Sequence, residues 1–138
     1  MDPIKKIFDQ KGTIAVVGAS SDPRRPSSEI TQYLIREGFN VIPVNPNYAE
    51  LFGQKCYPDL LAIREHVDVV DIFRNPSMVP EIVEQAIAIK ARFVWMQPGA
   101  ENFQAAERAE SAGLEVILGV CIMHNSITDR APLSGVEL

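Results

Sequence analysis

Several features are scarce in this sequence of 138 residues. It has only two cysteines, Cys56 and Cys121, which are too few for a disulfide framework and are not spaced as a metal-binding pair. Apolar runs reach only about five residues before a charge or a turn signal, so we expect no membrane-spanning segment. Residues 1–11 lack the long apolar core of a signal peptide. A cytoplasmic location is therefore the default expectation.

Positive charge and histidine are also in short supply. The chain has 13 lysines and arginines against 18 aspartates and glutamates, a net charge of −5, which argues against a broad nucleic-acid surface. Any anion site must therefore be local. His66 and His124 fit no serine–histidine–acid order and no metal-ligand spacing, and Asp68 and Asp71 face opposite sides of a predicted strand. We therefore expect a protein that is not an enzyme.

Apolar, β-rich runs alternate with helix-period segments, which is typical of buried parallel strands in an α/β sheet. Right-handed crossovers then predict a Rossmann-like, doubly wound, mostly parallel sheet in the order 3-2-1-4-5-6, with helices on both faces. The length predicts a single domain over 1–138, with 1–11 as an N-terminal extension and 125–138 as a polar tail. The predicted strands, of which the third is weak, are 13–17, 41–44, 55–57, 67–73, 92–96 and 115–118.

Helices are predicted before Gly38, after Asn75-Pro76 and over 101–112, with glycine, asparagine and proline at their usual end positions. Pro43 lies in the second strand although a proline cannot donate to a central ladder. A bulge or a short ladder would accommodate it.

Ligands of such sheets bind beyond the carboxyl ends of the strands, where the strand order reverses. The first strand ends at Gly18, which allows backbone N–H groups to approach a phosphate at the start of a helix. Ser20 and Ser21 add hydroxyl donors, and Arg24 and Arg25 add two cations. The loop therefore predicts pyrophosphate binding, with a tight turn and solvated arginines as the alternative. Ser27 or Ser28 can cap the helix that follows.

This loop is not a complete G-x-G-x-x-G fingerprint, because Ser20 stands where a second glycine would be. The second strand ends at Asn45-Pro46, with no acid before Glu50 to hold the ribose diol of NAD and no arginine for a 2′-phosphate. An NAD(P)-dependent oxidoreductase is thus the disfavoured alternative, while a nucleotide is still expected. Asn45 either contacts that nucleotide or forms an Asx turn before Pro46.

Two further strand ends face the same edge. Phe73 is suited to packing on adenine and equally to the core, and Arg74 is suited to a bidentate phosphate contact or to a surface salt bridge. Gln97 can hydrogen-bond a ligand amide, and Cys121 is either an inert buried thiol or a thiol near the reactive end of the ligand.

Together these strand ends resemble the stand-alone CoA-binding proteins, whose domain is similar to the N-terminal CoA-binding domain of the succinyl-CoA synthetase α subunit. The resemblance extends from about Ile14 to Met123. The matching stretches are VVGAS at 16–20, PRRPS at 23–27, PVNPN at 43–47, GQKCYPDL at 53–60, VDVVDIFRNP at 67–76, VWMQPG at 94–99, AERAESAGL at 106–114 and the cysteine of GVC at 119–121.

The resemblance implies a site for CoA or an acyl-CoA, with the loop residues on phosphate, the second and fourth strand ends on the nucleotide, and the fifth on the pantetheine arm. The residues it implies are Gly18, Ala19, Ser20, Arg25, Ser27, Val44, Asn45, Pro46, Ile72, Phe73, Arg74, Met96 and Gln97. No metal, nucleic acid or membrane is expected as a partner. The oligomeric state stays open.

The chain departs from the family pattern at two places. Gly119-Val120 replace the usual Asp-Arg before the cysteine, and Pro98 replaces the usual leucine. Both lie on the pantetheine side, so the thiol end of the pocket is the less certain one. A regulatory interaction protein with a vestigial pocket is therefore the second alternative.

Overall fold

The computed structural model describes residues 2–123. The strands are β1 (Thr13–Val17), β2 (Asn40–Val44), β3 (Glu50–Leu51), β4 (Gln54–Lys55), β5 (Val69–Ile72), β6 (Phe93–Met96) and β7 (Glu115–Leu118). The helices are α1 (Pro3–Gln10), α2 (Pro26–Arg36), α3 (Val79–Ala88) and α4 (Phe103–Ser111), with 3₁₀ turns at Leu60–Ala62 and Pro76–Met78. No helix among the described residues has the length and apolar character needed to cross a membrane.

Five of the strands form one parallel sheet in the order β2-β1-β5-β6-β7. This confirms the predicted Rossmann-like α/β class, because the chain runs outward from β1 in one direction and then returns to the other side of β1 through β5. The reversal point therefore lies between β1 and β5. The carboxyl ends of these two strands define the edge where a ligand is expected.

The prediction of a third strand in the main sheet was wrong. Residues 54–55 pair antiparallel with β3, and only Tyr57 reaches β2, through a single parallel bridge to Val44. The two-residue loop between β3 and β4 consists of Phe52 and Gly53, both with positive φ (51° and 78°), as tight hairpin turns require. This reversal leaves too little extended chain beside β2 for a sixth strand.

Pro43 sits in β2 without a bulge, since the register of β2 with β1 is continuous from Thr13–Asn40 to Val17–Val44. The Pro43 carbonyl accepts a hydrogen bond from the Tyr57 N–H at 3.1 Å, so it points away from β1. The nitrogen and carbonyl of one extended residue point to the same side of the strand. The missing N–H therefore faces the outer edge, where no ladder bond is lost.

The sheet is buried on both faces because its strand residues alternate between two cores. One face packs on α3 and α4, whose small Ala105, Ala106 and Ala109 are all buried. The other face packs on α1 and α2 and includes the fully buried Trp95. The helices therefore fix the strand ends from both sides.

Residues 1–11, predicted as an N-terminal extension, contain helix α1. Asp2 caps it by accepting a hydrogen bond from the Ile4 N–H at 3.0 Å, and Pro3 occupies its first position. Ile7 is 2% exposed within the core, and Phe8 packs edge-to-face on Phe39 with ring centroids 5.4 Å apart. The helix is thus an integral part of the described domain.

We therefore expect Ile7→Ala to lower the free energy of unfolding by about 2–5 kcal/mol, the cost of removing a buried aliphatic side chain. Urea unfolding measures this change. Lys5→Ala, on an exposed position of the same helix, is the matched control and should cost much less. A loss for Ile7→Ala no larger than that of the control would contradict the role of α1 in the core.

Candidate functional site

The candidate site begins at Gly18, where β1 ends. Gly18 has φ +93°, and an added Cβ would collide with the Phe73 carbonyl oxygen and lie 3.0 Å from Cδ of Arg74. Its N–H donates to the Val44 carbonyl at 2.9 Å, and its carbonyl accepts from the Ser27 hydroxyl at 3.0 Å. The loops after β1, β2 and β5 therefore meet at a residue that only glycine can fill.

A polar cavity of about 210 Å³ opens beside Gly18 at this edge. It contains six of the predicted site residues, and no aspartate or glutamate of the described chain lines it. Its lining residues are Gly18, Ser20, Arg25, Asn45, Asn47, Tyr48, Phe73 and Arg74. The structure therefore brings the predicted phosphate loop together with the ends of β2 and β5.

The two loop arginines have different environments. Arg24 grips Asp22 in a fork, with Nε and Nη2 each 3.0 Å from a carboxylate oxygen, and this contact holds the pKa of Asp22 below its ordinary value. Arg25 lines the cavity and makes no ion pair with any described residue. Arg74 has no ion pair among the described residues either, and its Nη2 lies 3.2 Å from the Met78 sulfur. Arg25 and Arg74 therefore supply positive charge for an anion.

A second, mostly apolar cavity of about 170 Å³ adjoins the first, because Gly18 and Arg74 line both. Val44 and Pro46, which were predicted to border a nucleotide, lie here. The other lining residues are Val17, Pro58, Asp59, Leu60, Met78, Glu81, Ile82 and Gln85. A flat apolar group attached to an anion would thus find complementary surfaces on the two sides of Arg74.

Asn45 and Ser27 hold the loops in place. The Asn45 Oδ1 accepts from the Asn47 N–H at 2.9 Å, which is the predicted alternative of an Asx turn, and its Nδ2 donates to the Ala19 carbonyl at 2.8 Å. The prediction that Ser27 caps α2 was wrong, because the helix begins at Pro26 and the capping position falls on Arg25. Its hydroxyl instead binds the Gly18 carbonyl.

The remaining predicted residues are buried and line neither cavity. Met96 and Gln97 lie beneath the surface at 0% and 1% exposure. The Gln97 Oε1 accepts from the Ile122 N–H at 3.2 Å, and the Trp95 indole donates to the Val120 carbonyl at 2.7 Å. Residues 119–123 are thereby held over this end of the sheet. Ala19, Ser27 and Ile72 are also buried. The role of these three residues and of Met96 and Gln97 as ligand contacts therefore stays a prediction, and in this structure they pack beneath the site.

Gln97 also donates through Nε2 to Oδ1 of Asp71, which is fully buried in β5. The register places Asp71 between Val16 and Trp95, and its Oδ2 has no hydrogen-bond partner within residues 2–123. Burial raises the pKa of Asp71 to about 8, against a weaker lowering by Gln97. Asp71 is therefore mostly protonated at neutral pH.

Sequence reasoning missed three groups of lining residues, of which one, on the 3₁₀ turn after β5 and on α3, is Met78, Glu81, Ile82 and Gln85. Asn47 and Tyr48 directly follow the second strand end, and their position there was the signal that could have found them. Pro58, Asp59 and Leu60 close the apolar cavity from the stretch GQKCYPDL, which carried part of the resemblance but no predicted site residue. The single bridge from Tyr57 to Val44 brings that stretch to the site.

The described histidine and cysteines line neither cavity, although the Cys56 thiol donates to the carbonyl of Asn45, a lining residue, at 3.5 Å. As predicted, His66 is at the opposite, amino end of the sheet, with Nε2 3.4 Å from an oxygen of Asp68, whose other oxygen accepts from the Thr13 N–H. Cys56 is buried, and burial raises the pKa of its thiol. Cys121 is half-buried. His124 and residues 125–138 lie outside the described residues.

Pro98 and Gly119, at the two departures from the expected pattern, both lie where the backbone turns. Pro98 and Gly99 form a tight turn closed by the bond from the Ala100 N–H to the Gln97 carbonyl at 2.8 Å, with Gly99 at φ +95°. Gly119 has φ +74°, a conformation that glycine adopts without strain. Both residues therefore shape the chain around Gln97.

A family model described as a CoA-binding domain matches residues 12–126. The chain belongs to this family. An uncharacterized protein of Bacillus subtilis, YneT, is 34% identical over 119 residues, which cover 86% of this chain and 88% of that protein. The solved structure of a hypothetical protein from Pyrococcus horikoshii has 40% identity and a TM-score of 0.87, covering 92% of this chain and 88% of that one.

Larger relatives contain this domain as one segment. The acetate–CoA ligase (ADP-forming) I of Archaeoglobus fulgidus is 30% identical over 131 residues, and the match covers 86% of this chain but 19% of the ligase. A dinucleotide-forming acetyl-coenzyme A synthetase of Candidatus Korarchaeum cryptofilum, solved with phosphate and ADP, is 32% identical with a TM-score of 0.72. The match covers 84% of this chain and 27% of that one. The predicted resemblance to stand-alone CoA-binding domain proteins is thus confirmed. The larger relatives are acetyl-CoA synthetases, whereas the resemblance drawn from the sequence was to succinyl-CoA synthetase, and the chain spans only about a fifth of the Archaeoglobus ligase.

Asp71 generates a prediction about stability. Its pKa is higher in the folded state (about 8) than the ordinary value of 3.8, so as pH rises through that interval the unfolded chain loses its proton first. Folding stability should therefore fall between about pH 4 and 8. Asp71→Asn keeps the shape and the Gln97 contact without the ionisable group. Its stability advantage over the unmodified protein should grow across this interval by at least about 1.4 kcal/mol, the equivalent of one pKa unit.

Urea unfolding of both proteins at a series of pH values measures the advantage. The exposed Glu110→Gln on α4 makes the same carboxylate-to-amide change and should show no such growth. A constant difference between Asp71→Asn and the unmodified protein would contradict the assignment.

Proposed function

We propose that this protein binds coenzyme A or an acyl-CoA at the carboxyl edge of its sheet and has no catalytic activity of its own. The observation that carries the proposal is the polar cavity at Gly18, whose lining includes Arg25 and Arg74 and no carboxylate of the described residues. An acidic chain that keeps such a site free of negative charge is suited to a polyanionic ligand. The match to the family of CoA-binding domains supports the same ligand.

The phosphates of CoA occupy the polar cavity, and its adenine occupies the adjoining apolar one. Gly18 lets the phosphates approach the backbone at the start of α2, a helix whose N-terminus has no side-chain cap. Val44, Pro46 and Ile82 offer apolar surface for the base. Arg74 lies between the cavities and reaches either part of the ligand.

The end of β2 argues against NAD as the ligand. An NAD site needs a carboxylate there for the ribose hydroxyls. Instead, Asn45 uses its amide within the loops, and the chain contributes Asn47 and Tyr48 to the cavity. Glu50, the first acid after this strand, lines neither cavity.

The non-enzymatic part of the proposal rests on the lining residues. The described residues of the two cavities include hydroxyl groups and the carboxylates Asp59 and Glu81, but neither a histidine nor a cysteine. Asp59 already accepts a hydrogen bond from the Ala62 N–H at 3.0 Å. A nucleophile paired with a base is the arrangement that acyl transfer requires.

Calorimetric titration tests the proposal, with CoA expected to bind more tightly than NAD or ATP. Arg25→Ala should weaken CoA binding by about 1.5–3 kcal/mol, the range for hydrogen bonds to charged groups. Arg36→Ala is the matched control. Arg36 is exposed in the last turn of α2 and lines neither cavity, so its loss should have a much smaller effect.

Three results would contradict the proposal. NAD binding that is tighter than CoA binding would restore the oxidoreductase alternative. Equal losses for Arg36→Ala and Arg25→Ala would remove the polar cavity as the specific phosphate site. Steady release of free thiol from acyl-CoA by the purified protein would contradict the absence of catalysis.

A further inference from the structure

Tyr48 is held at the mouth of the polar cavity by the loop that follows β2. Its N–H lies 3.4 Å from the Asn45 carbonyl, and the Asn45 side chain ties the same loop to the Ala19 carbonyl. The ring is half-buried and packs against the core on the α1 and α2 face of the sheet. The backbone contact and the packing of the ring therefore fix the position of the Tyr48 hydroxyl.

The Tyr48 hydroxyl faces the loop that follows β1. It lies 3.4 Å from Oγ of Ser20 and 3.4 Å from Oγ of Ser21. Both distances exceed the ~2.7–2.8 Å of a strong O–H···O bond. Ser20 already accepts from the Asp22 N–H at 3.0 Å. The Tyr48 proton is thus weakly engaged and can turn towards an anion in the cavity.

The surroundings of this hydroxyl favour an anion. Arg25 and Arg74 line the same cavity, and the nearby Asp22 forms an ion pair with Arg24. The hydrogen bonds of the serine hydroxyls lower the pKa of Tyr48 because they favour the charged oxygen, and they outweigh the opposing effect of the Asp22 charge. The group therefore lies where negative charge is stabilised.

The place of Tyr48 in the fold indicates which anion it meets. In doubly wound sheets the loop after the second strand reaches the ribose, and its side chains distinguish a free hydroxyl from a phosphate ester. A carboxylate there accepts from a hydroxyl, whereas donors and cations select a phosphate. In this chain the loop contributes Asn47 and Tyr48, both of which can donate.

We propose that Tyr48 is a specificity-determining residue that donates its hydroxyl proton to the phosphate ester on the ribose of the ligand. This inference rests on the proposed binding of CoA, which carries a 3′-phosphate besides its pyrophosphate. It assigns recognition of the ribose phosphate to the β2 loop. The Gly18 loop then serves the pyrophosphate.

Titration of CoA and dephospho-CoA into the unmodified protein and Tyr48→Phe tests the assignment. Tyr48→Phe removes only the hydroxyl, so it should weaken CoA about tenfold and dephospho-CoA less than about twofold. Tyr57→Phe is the matched control. Tyr57 lines neither cavity, so the affinity of the Tyr57→Phe protein for both ligands should equal that of the unmodified protein. Equal thermal midpoints of the three proteins exclude unfolding as the cause.

The outcomes separate this inference from the proposed function. If the unmodified protein binds CoA and Tyr48→Phe binds it equally well, Tyr48 is not a specificity residue although CoA is the ligand. If Tyr48→Phe weakens CoA and dephospho-CoA by the same factor, Tyr48 serves another part of the ligand and the inference is overturned. If the unmodified protein binds neither ligand, the proposed function fails and the inference fails with it.

Discussion

At Gly18 the backbone of the first loop runs so close to the Phe73 carbonyl that no side chain fits between them. The Gly18 carbonyl accepts from the Ser27 hydroxyl, and the Gly18 N–H donates to the Val44 carbonyl. Gly18 therefore links the end of β2, the start of α2 and the loop after β5. Both cavities of the candidate site adjoin this residue. The close approach therefore positions Arg74, the β2 loop and the start of α2 relative to one another, and the chemistry of the site depends on it.

The site obtains its positive charge because two adjacent arginines have different roles, and not because many cations are gathered there. The chain as a whole has a net charge of −5. Asp22 lies in the same loop as the arginines, but the fork with Arg24 satisfies both of its oxygens. Arg25, the next residue, is left to face the cavity. One arginine thus shields the site from the nearby carboxylate while its neighbour is available for the ligand, and this explains how an acidic protein can present a local phosphate site.

Much of the fold could be predicted because its signals are local. The apolar runs at 13–17, 93–96 and 115–118 are short and bounded, and the first two are buried on both faces of the sheet, so their pattern identifies them as parallel strands. Helix α1 was overlooked although Asp2-Pro3 is a typical helix start, because a short segment gives a weak periodic signal. The predicted third strand is missing from the main sheet because the chain reverses at Phe52. The positive φ of this residue is one that a bulky side chain seldom adopts, so the sequence did not indicate the turn.

The site was less predictable where contacts are distant in sequence. Gly18, Arg25 and Arg74 follow from the rule that ligands bind at the carboxyl ends of strands. The burial of Gln97 does not, because it depends on Ile122 folding back across the sheet and on Asp71 beneath it. Tyr48 likewise gains its meaning only from the serines of another loop. Such pairings are set by tertiary packing, which no pattern in one segment reveals.

The measurement that tests the central claim most directly is an amide chemical-shift titration of the protein with CoA. The account predicts that the largest shifts fall on residues 18–21, 45–48 and 73–75, which surround the two cavities. Amides at the amino end of the sheet, such as Thr13 and Asp68, should change little, since they lie at the opposite edge. Largest shifts at that opposite edge, or no shifts at millimolar CoA, would contradict the claim that the Gly18 junction is a CoA-binding site.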